Sequence, residues 1–205
     1  MTVLKATKNN IITAAQTVRR GGLVVYPTET VYGLGCDPLN VQAVKRVLEV
    51  KGDRNKPLPM LAANIEGAEK VAFITQNGKS LAAKFWPGPL TLVFPKKPSL
   101  PDMVTFNLDS VGLRIPNNDV ALRLIRLSGG LLVGSSANRT GDEPPRTVQE
   151  LSEALKGMVD VVLDGGPAAQ GKPSTVADLT SDIPRIIREG PISLKMILDA
   201  LAFSD

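Results

Sequence analysis

The sequence feature that most constrains the fold is a series of short apolar runs, each bounded by glycine or proline and set between helix-like segments. The run 23–26 ends at Pro27, and the run 90–94 follows the rigid turn Trp86-Pro87-Gly88-Pro89. Runs bounded in this way predict buried strands. The predicted strands are 23–26, 57–62, 90–94, 111–115, 131–133, 159–163, 174–179 and 184–188.

The helix-like segments have apolar residues that recur every three or four positions and polar residues that can cap their first turn. Asn40 precedes one such segment, which ends at Lys51-Gly52. Thr147 and Glu150 have the spacing of a capping box and predict a helix that continues to Lys156. The predicted helices are 10–20, 41–51, 65–72, 77–85, 119–128, 147–156 and one from 193 onwards.

The order of these elements predicts the fold class. Strand runs in the second half follow one another without helices between them, so a regular doubly wound sheet is not expected. We predict an α/β protein with a twisted mixed sheet and flanking helices. The 205 residues contain no repeat, low-complexity tract or convincing linker, which predicts one domain over 1–205.

Composition excludes several classes of function. The chain has no histidine and one cysteine, Cys36, so Ser-His-Asp and Cys-His centres, an internal disulfide and multi-cysteine zinc sites are excluded. No apolar stretch approaches the ~18 residues of a membrane span, and residues 1–10 have no apolar signal core. These features predict a cytoplasmic location. The net charge of +4 suits a phosphate-bearing ligand, but it also suits an ordinary solvated surface.

Two polar stretches directly follow predicted strands, where ligand sites are common. Residues 27–35 contain Thr28 and Thr30, whose hydroxyls can donate to carboxylate or phosphate oxygens. Residues 134–138 combine small residues, which let a ligand approach the backbone, with Ser136 and Asn138. Taken alone, each stretch is equally well explained as a turn with satisfied hydroxyls.

Two further stretches carry cations. Residues 51–58 include Lys51, Arg54 and Lys56, which predict a polyphosphate site or simply complement the dipole of the preceding helix. Residues 171–176 and 188–190 belong with Arg114, which lies inside an apolar strand. A buried arginine needs an anionic partner, and the sequence leaves open whether that partner is a protein carboxylate or a ligand.

Together and in this order, these motifs resemble the YrdC family of L-threonylcarbamoyladenylate synthases. Each motif alone is weak, whereas the ordered set is specific and spans nearly the whole chain. The matching segments are YPTETVYGLG (26–35), KGDRNKPL (51–58), WPGPLTLVF (86–94), VGLRIP (111–116), SSAN (135–138), PSTV (173–176) and REGPIS (188–193).

The resemblance implies a YrdC-like twisted sheet with a basic concave face, and a nucleotidyltransferase reaction. L-Threonine, bicarbonate and ATP would give threonylcarbamoyl-AMP and pyrophosphate, with Mg²⁺ bound mainly through the phosphates. Partner proteins would then transfer the threonylcarbamoyl group to tRNA. The reaction requires no histidine, because phosphoryl chemistry depends mainly on positioning and charge stabilisation.

The resemblance also implies roles for individual residues. The residues expected to bind L-threonine, with Arg114 on its carboxylate, are Thr28, Thr30, Arg114 and Ser174. The residues expected to bind the nucleotide, with the first two holding the phosphates as the catalytic cations, are Lys51, Arg54, Ser136, Asn138, Pro144 and Arg188.

Two departures from the family pattern and two alternative functions remain. The segment after Lys51 is shorter than usual and has Asp53 at the usual arginine position, so Arg54 is predicted to reach the phosphates through a loop shift. Leu61 stands where many members have a polar residue near the threonine.

The first alternative is a protein that binds double-stranded RNA or tRNA without synthase activity. The second is an enzyme that forms a different carbamoyl or acyl adenylate.

Overall fold

Two mixed β-sheets form the framework of the protein, with helices packed against them. The computed structural model describes residues 1–52, 56–181 and 183–202, and its eleven strands divide into a five-stranded first sheet and a six-stranded second sheet. The single sheet expected from the sequence is therefore wrong in number, whereas the mixed α/β class is confirmed. The predicted basic concave face stays a prediction.

The elements alternate irregularly along the chain. The strands are β1 (Thr2–Lys5), β2 (Val24–Tyr26), β3 (Gly33–Gly35), β4 (Met60–Ala62), β5 (Leu90–Pro95), β6 (Ser110–Arg114), β7 (Leu131–Val133), β8 (Ser135–Ser136), β9 (Val161–Asp164), β10 (Thr175–Asp178) and β11 (Arg185–Arg188). The helices are α1 (Lys8–Arg19), α2 (Val41–Lys51), α3 (Ile65–Glu69), α4 (Gln76–Phe85), α5 (Asp102–Thr105), α6 (Asp119–Leu127), α7 (Glu153–Met158) and α8 (Leu194–Ala202).

Both sheets combine parallel and antiparallel pairs. The first sheet has the order β1-β9-β2-β3-β8, in which β1, β9 and β2 are parallel while β3 and β8 pair antiparallel with their neighbours. The second sheet has the order β11-β10-β5-β6-β4-β7, with parallel pairs between β10 and β5 and between β4 and β6. Parallel pairs bring the same ends of distant segments together, which positions the site described below.

The chain passes from one sheet to the other at Gly134. Strand β7 is the edge of the second sheet and β8 is the edge of the first, with only this glycine between them. A Cβ atom on Gly134 would lie 2.6 Å from Cγ of the buried Leu61, so a side chain here would displace the core. The edges of the two sheets are thereby joined.

The hydrophobic core is continuous between the two sheets. Its larger cluster takes Val25 and Leu34 from the first sheet and Leu92 and Leu113 from the second. A smaller cluster packs α1 against α6. Burial of such side chains stabilises the fold by roughly 1.5–3 kcal/mol each.

All eight predicted strands correspond to strands of the structure, namely β2, β4 to β7 and β9 to β11. The sequence did not predict β1, β3, β8 or α5, which are short or carry small or polar residues. Asn40 caps α2 as predicted, because its side chain accepts a hydrogen bond from the amide of Ala43 at 3.1 Å.

The predicted start of the helix at Thr147 is wrong. Helix α7 begins after Ser152, whose hydroxyl accepts a hydrogen bond from the amide of Leu155 at 3.2 Å. Glu150 instead accepts from the amide of Arg146 at 2.7 Å and closes a turn ahead of the helix. The bond joins Glu150 to Arg146 rather than to Thr147, so the capping box predicted from Thr147 and Glu150 does not form.

Within the described residues, every helix is too short or too polar to cross a membrane.

Candidate active site

Residues of the first sheet reach the site from one end of β2, β3 and β8. The loop 27–32 follows β2, and the register pairs Gly33 at the start of β3 with Ser136 at the end of β8. Asn138, two residues beyond Ser136, therefore lies at the same end of the sheet as the loop.

Residues of the second sheet reach the site from one end of β10, β11, β5 and β6. Val176 near the start of β10 pairs with Thr91 on one side and with Arg188, the last residue of β11, on the other. Arg114 is the last residue of β6, which runs antiparallel to β5. Ser174 immediately precedes β10. The two sheets thus direct their predicted binding residues to a common region.

The Thr28 and Thr30 hydroxyls form a closed network inside the loop. Oγ1 of Thr28 donates to the carbonyl of Val31 at 2.7 Å and accepts from the amides of Thr30 and Val31. The two hydroxyls are 2.8 Å apart, and the proton of Thr28 is already used, so Thr30 is the donor between them. Thr28 shapes the loop, while the oxygen of Thr30 keeps acceptor capacity for a ligand.

Arg114 forms a buried ion pair with Glu29. Its Nη1 donates to Oε1 of Glu29 at 2.6 Å, and only 7% of each side chain is exposed. Burial lowers the pKa of Arg114 from its ordinary value, while the negative charge of Glu29 opposes this shift. The anionic partner left open by the sequence is therefore, in this structure, a protein carboxylate. Nε and Nη2 of Arg114 donate to none of the described protein groups, so they are available to a second anion.

Arg188 and Ser174 form the neighbouring part of the site. Nε and Nη2 of Arg188 donate to the carbonyl of Ser174 at 3.0 and 2.8 Å, and Nη2 also reaches the Ser174 hydroxyl at 3.1 Å. The same hydroxyl is 2.8 Å from that of Thr91. Partial desolvation and the nearby charge of Arg114 both lower the pKa of Arg188. The positive charges of two neighbouring guanidinium groups favour an anionic ligand. The structure thus groups Arg188, expected on the nucleotide, with the residues expected on threonine.

Lys51 is buried and holds the loop that follows β8. Its ammonium donates to the carbonyl of Ser136 at 2.8 Å, the carbonyl of Asn138 at 2.5 Å and Oδ1 of Asn138 at 3.1 Å. Nδ2 of Asn138 donates to the carbonyl of Asp142 at 2.6 Å. The Ser136 hydroxyl, which is only half-buried, bonds to none of the described residues. Lys51 thus positions the predicted nucleotide loop and brings positive charge to it.

Tyr32 connects the separate loops of the site. Its amide donates to the carbonyl of Pro145 at 2.8 Å, and its carbonyl accepts from the amide of Ala137 at 2.9 Å. Its hydroxyl donates to the carbonyl of Gly166 at 2.7 Å. The half-buried Pro144 precedes Pro145 and is therefore carried to the loop containing Ser136 and Asn138.

Arg54 lies outside the described residues, as does its neighbour Asp53. Leu61 pairs with Arg114 across β4 and β6 but is buried in the core cluster between α1 and α6.

Sequence reasoning missed Glu29 and Tyr32 as site residues. Glu29 lies inside a motif that was recognised, and an acidic residue between two threonines in an apolar context was the available signal. Tyr32 acts mainly through backbone groups, for which side-chain chemistry gives no signal. Among the described residues there is no cluster of three or more His, Cys, Asp or Glu that could hold a metal.

A separate cleft of about 490 Å³ lies between α3 and α4. Glu66, Glu69, Lys79 and Trp86 are among its lining residues, and Ile115, the neighbour of Arg114, forms part of its wall. It contains none of the predicted site residues.

Comparison with known proteins identifies the family. The model of the Sua5, YciO and YrdC proteins, described as "Telomere recombination", matches residues 16–190. The chain belongs to this family. This confirms the YrdC resemblance carried by the ordered motifs. Among curated family members, the Pyrococcus abyssi threonylcarbamoyl-AMP synthase is 42% identical over 186 residues, which cover 90% of this chain and 55% of that protein.

Other members of the family differ in length. A putative threonylcarbamoyl-AMP synthase of Mycobacterium tuberculosis strain H37Rv is 38% identical over 193 residues, covering 93% of this chain and 88% of that protein. The Bacillus subtilis threonylcarbamoyl-AMP synthase is 39% identical and is covered to 55%. The chain thus spans little more than half the length of the P. abyssi and B. subtilis proteins.

Solved structures of family members have the same fold. P. abyssi Sua5 complexed with L-threonine superposes with a TM-score of 0.94 at 38% identity, over 98% of this chain and 61% of that one. E. coli YciO gives a TM-score of 0.85 at 27% identity, over 93% of this chain and 94% of that one.

Proposed function

We propose that the chain is an L-threonylcarbamoyladenylate synthase, which makes threonylcarbamoyl-AMP and pyrophosphate from L-threonine, bicarbonate and ATP. The observation that carries the proposal is the gathering of residues from separate motifs at one end of two sheets, in a fold shared with a Sua5 protein complexed with L-threonine. Relatives named threonylcarbamoyl-AMP synthase support the same activity.

The threonine side of the proposed site consists of Thr28, Thr30, Arg114 and Ser174. The free guanidinium nitrogens of Arg114 would bind the substrate carboxylate, and Thr30 would accept from a substrate donor. Thr28 would act by holding Thr30, because its own hydroxyl is fully used.

The nucleotide side consists of Ser136, Asn138 and Pro144, with Lys51 and Arg54 as the catalytic cations. Lys51 would act in part through the loop that it holds and in part through its charge. Arg188 would bind the nucleotide from its place beside Ser174, so that it lies between the two substrates.

The proposed reaction has two steps. The threonine nitrogen attacks the carbon of bicarbonate, a carbon–nitrogen bond forms, and water and a proton leave to give the carbamate. A carbamate oxygen then attacks the α-phosphorus of ATP, and pyrophosphate departs. The protein contributes positioning and positive charge, which are the main terms in phosphoryl chemistry.

Mg²⁺ would enter with the ATP phosphates, which suits a site whose described residues lack a carboxylate cluster. We further propose a cytoplasmic setting in which transfer proteins deliver the threonylcarbamoyl group to tRNA. Direct binding of tRNA or double-stranded RNA by a basic face stays a prediction.

Pyrophosphate release tests the proposed function. The assay contains ATP, Mg²⁺ and bicarbonate, with and without L-threonine, and compares the wild type with Arg54→Ala and with Arg126→Ala, which changes an exposed arginine on α6. We expect threonine-dependent release that falls in Arg54→Ala and persists in Arg126→Ala. Folded protein without threonine-dependent release would overturn the synthase proposal, and salt-sensitive RNA binding would then favour the RNA-binding alternative.

A further inference from the structure

Glu29 carries a buried carboxylate oxygen that the protein does not satisfy. Oε1 is bound by Arg114, whereas Oε2 is buried and has no hydrogen-bond partner among the described residues. Only 7% of the Glu29 side chain is exposed. A buried carboxylate oxygen without a donor is costly, so this position calls for a donor supplied from outside the protein framework.

The surroundings of Glu29 define the chemistry of that donor. Glu29 lies between Thr28 and Thr30, and its own carbonyl accepts from the amide of Gln170 at 2.8 Å, which fixes the backbone of the loop. Thr30 has already donated its proton to Thr28, so it also presents an acceptor. Two acceptors beside a guanidinium with unused donors match a ligand that has a cationic, donor-rich group next to a carboxylate.

We propose that Oε2 of Glu29 binds the α-amino group of the amino-acid substrate while Arg114 binds its carboxylate. The buried ion pair would then act as a clamp for the two charges of a free α-amino acid. The identity of the substrate as L-threonine rests on the proposed function. Glu29 would select the amino group, which is a role that the sequence motifs do not assign to it.

The same contact would persist after the amine becomes a carbamate. The ammonium offers three N–H donors and the carbamate nitrogen retains one, so a single hydrogen bond to Oε2 suits both forms. Glu29 would thus hold the nitrogen in one orientation while the new carboxylate group turns towards the nucleotide. Its role is substrate binding and positioning, and no proton transfer is assigned to it.

Calorimetric titration with two ligands tests this role. The ligands are L-threonine and its analogue with a hydroxyl in place of the amino group, and the proteins are the wild type, Glu29→Gln and Glu49→Gln, which changes an exposed glutamate on α2. We expect the wild type and Glu49→Gln to prefer L-threonine by roughly 10- to 100-fold. In Glu29→Gln this preference should collapse, because L-threonine loses its acceptor while the carboxylate contact of the analogue is kept.

The outcomes separate the inference from the proposed function. Equal binding of both ligands by the wild type would overturn the amino-group role without any variant. Equal weakening of both ligands by Glu29→Gln would show that Glu29 acts solely through Arg114, which also overturns it. Failure of the wild type to bind L-threonine at all would instead overturn the proposed function. Should Glu29→Gln not fold, the selectivity of the wild type still decides the question.

Discussion

At the scale of single residues, the candidate site contains charged groups that stabilise the framework and that we propose also bind the ligands. Lys51 donates to three oxygen atoms of one loop. Arg114 donates to Glu29 through Nη1, while its Nε and Nη2 are available to a ligand. Groups engaged in this way are already ordered before a ligand arrives, which reduces the conformational entropy lost on binding. The substitution of either cation should therefore affect stability and binding at the same time.

Replacement of Lys51 tests this dual role. Lys51→Met removes the donor of three hydrogen bonds while keeping a buried aliphatic stem, so we expect the free energy of unfolding to fall by roughly 2–3 kcal/mol. Affinity for ATP should fall as well, because the loop with Ser136 and Asn138 loses its anchor. Urea unfolding and nucleotide titration measure the two effects.

The matched control is Lys45→Met, which makes the same change on the exposed face of α2. It should leave both quantities nearly unchanged. If Lys51→Met loses ATP affinity at full stability, Lys51 acts on the nucleotide alone.

At the scale of elements, the fold depends on close backbone contacts that only glycine permits. Gly190 lies against the segment that carries Ser174, and a Cβ atom on it would be 2.3 Å from the amide nitrogen of Thr175 and 2.7 Å from the carbonyl oxygen of Pro173. Both contacts are with backbone atoms, so a side-chain rotation cannot relieve them. The glycine thereby fixes the spacing between Arg188 and Ser174.

Gly190→Ala is expected to separate these two segments. The free energy of unfolding should fall by roughly 2 kcal/mol, and affinity for L-threonine should fall with it, as measured by thermal unfolding and calorimetry. Gly157→Ala is the control, because Gly157 lies in α7 and its Cβ would meet nothing within 4 Å. That variant should be neutral or slightly stabilised, since alanine loses less backbone entropy on folding.

Strand β1 is held to β9 partly by an ion pair between Lys5 and Asp164, whose Nζ and Oδ2 are 2.6 Å apart. The hydrogen bond from Lys5, with one from the amide of Gly166, lowers the pKa of Asp164 below its ordinary value. A lowered pKa in the folded state means that the stabilisation is present near neutral pH and is lost as the pH falls through that value.

Asp164→Asn should therefore reduce the free energy of unfolding by about 0.5–1 kcal/mol near pH 7, and by much less near pH 2. Urea unfolding at the two pH values gives the comparison. Asp199→Asn, an exposed position on α8, serves as the control. A difference that stays constant with pH would indicate a role for Asp164 other than the ion pair.

Elements with a strong local signal could be predicted from the sequence, and those that depend on tertiary contacts could not. Apolar runs ended by proline or glycine located β2, β5 and β7, because burial and chain breaks are local properties. The two-residue β8 and the glycine-containing β3 have no such pattern, and they form because Gly33 pairs with Ser136. For the same reason the division into two sheets could not be seen, since it depends on the crossing at Gly134.

In the candidate site, too, the residue types could be predicted from local sequence, whereas their contacts could not. The motifs predicted functional roles for Arg114, Lys51 and Ser174. The spacing of the motifs along the sequence could not show which groups these three side chains contact. The Glu29 partner of Arg114 lies 85 positions away in the sequence. Which of several carboxylates meets a buried arginine is decided by the fold rather than by local pattern.

At the scale of the whole molecule, the two sheets share one core and are linked by the crossing at Gly134 and by the Glu29–Arg114 pair. We propose that residues 1–205 unfold as a single unit. The chain contains one tryptophan and one cysteine, and these report on different sheets. Trp86 donates to the carbonyl of Leu90 in the second sheet, and the buried Cys36 follows β3 in the first.

Cys36 and Trp86 allow a test of whether the two sheets unfold together. Burial raises the pKa of the Cys36 thiol to about 12, so a thiol reagent should react with it only after unfolding. In a urea series, the midpoint for Cys36 labelling and the midpoint for the change in Trp86 fluorescence should coincide. Labelling of Cys36 at clearly lower urea would show that the first sheet opens independently.

The crossing at Gly134 also has a consequence for self-association. The edge strands of a β-sheet are sites of aggregation, because their unpaired backbone groups can form hydrogen bonds with a strand of another chain. Here the edge strands β7 and β8 are consecutive segments of one chain, so each sheet has an edge held beside the other. In the described part of the chain, the outer edges are β1 and β11, and both carry cations, namely Lys5 on the first and Arg185 and Arg188 on the second. Although Lys5 pairs with Asp164 and Arg185 with Asp178 within the molecule, charged side chains on an edge strand disfavour its pairing with a strand of another molecule.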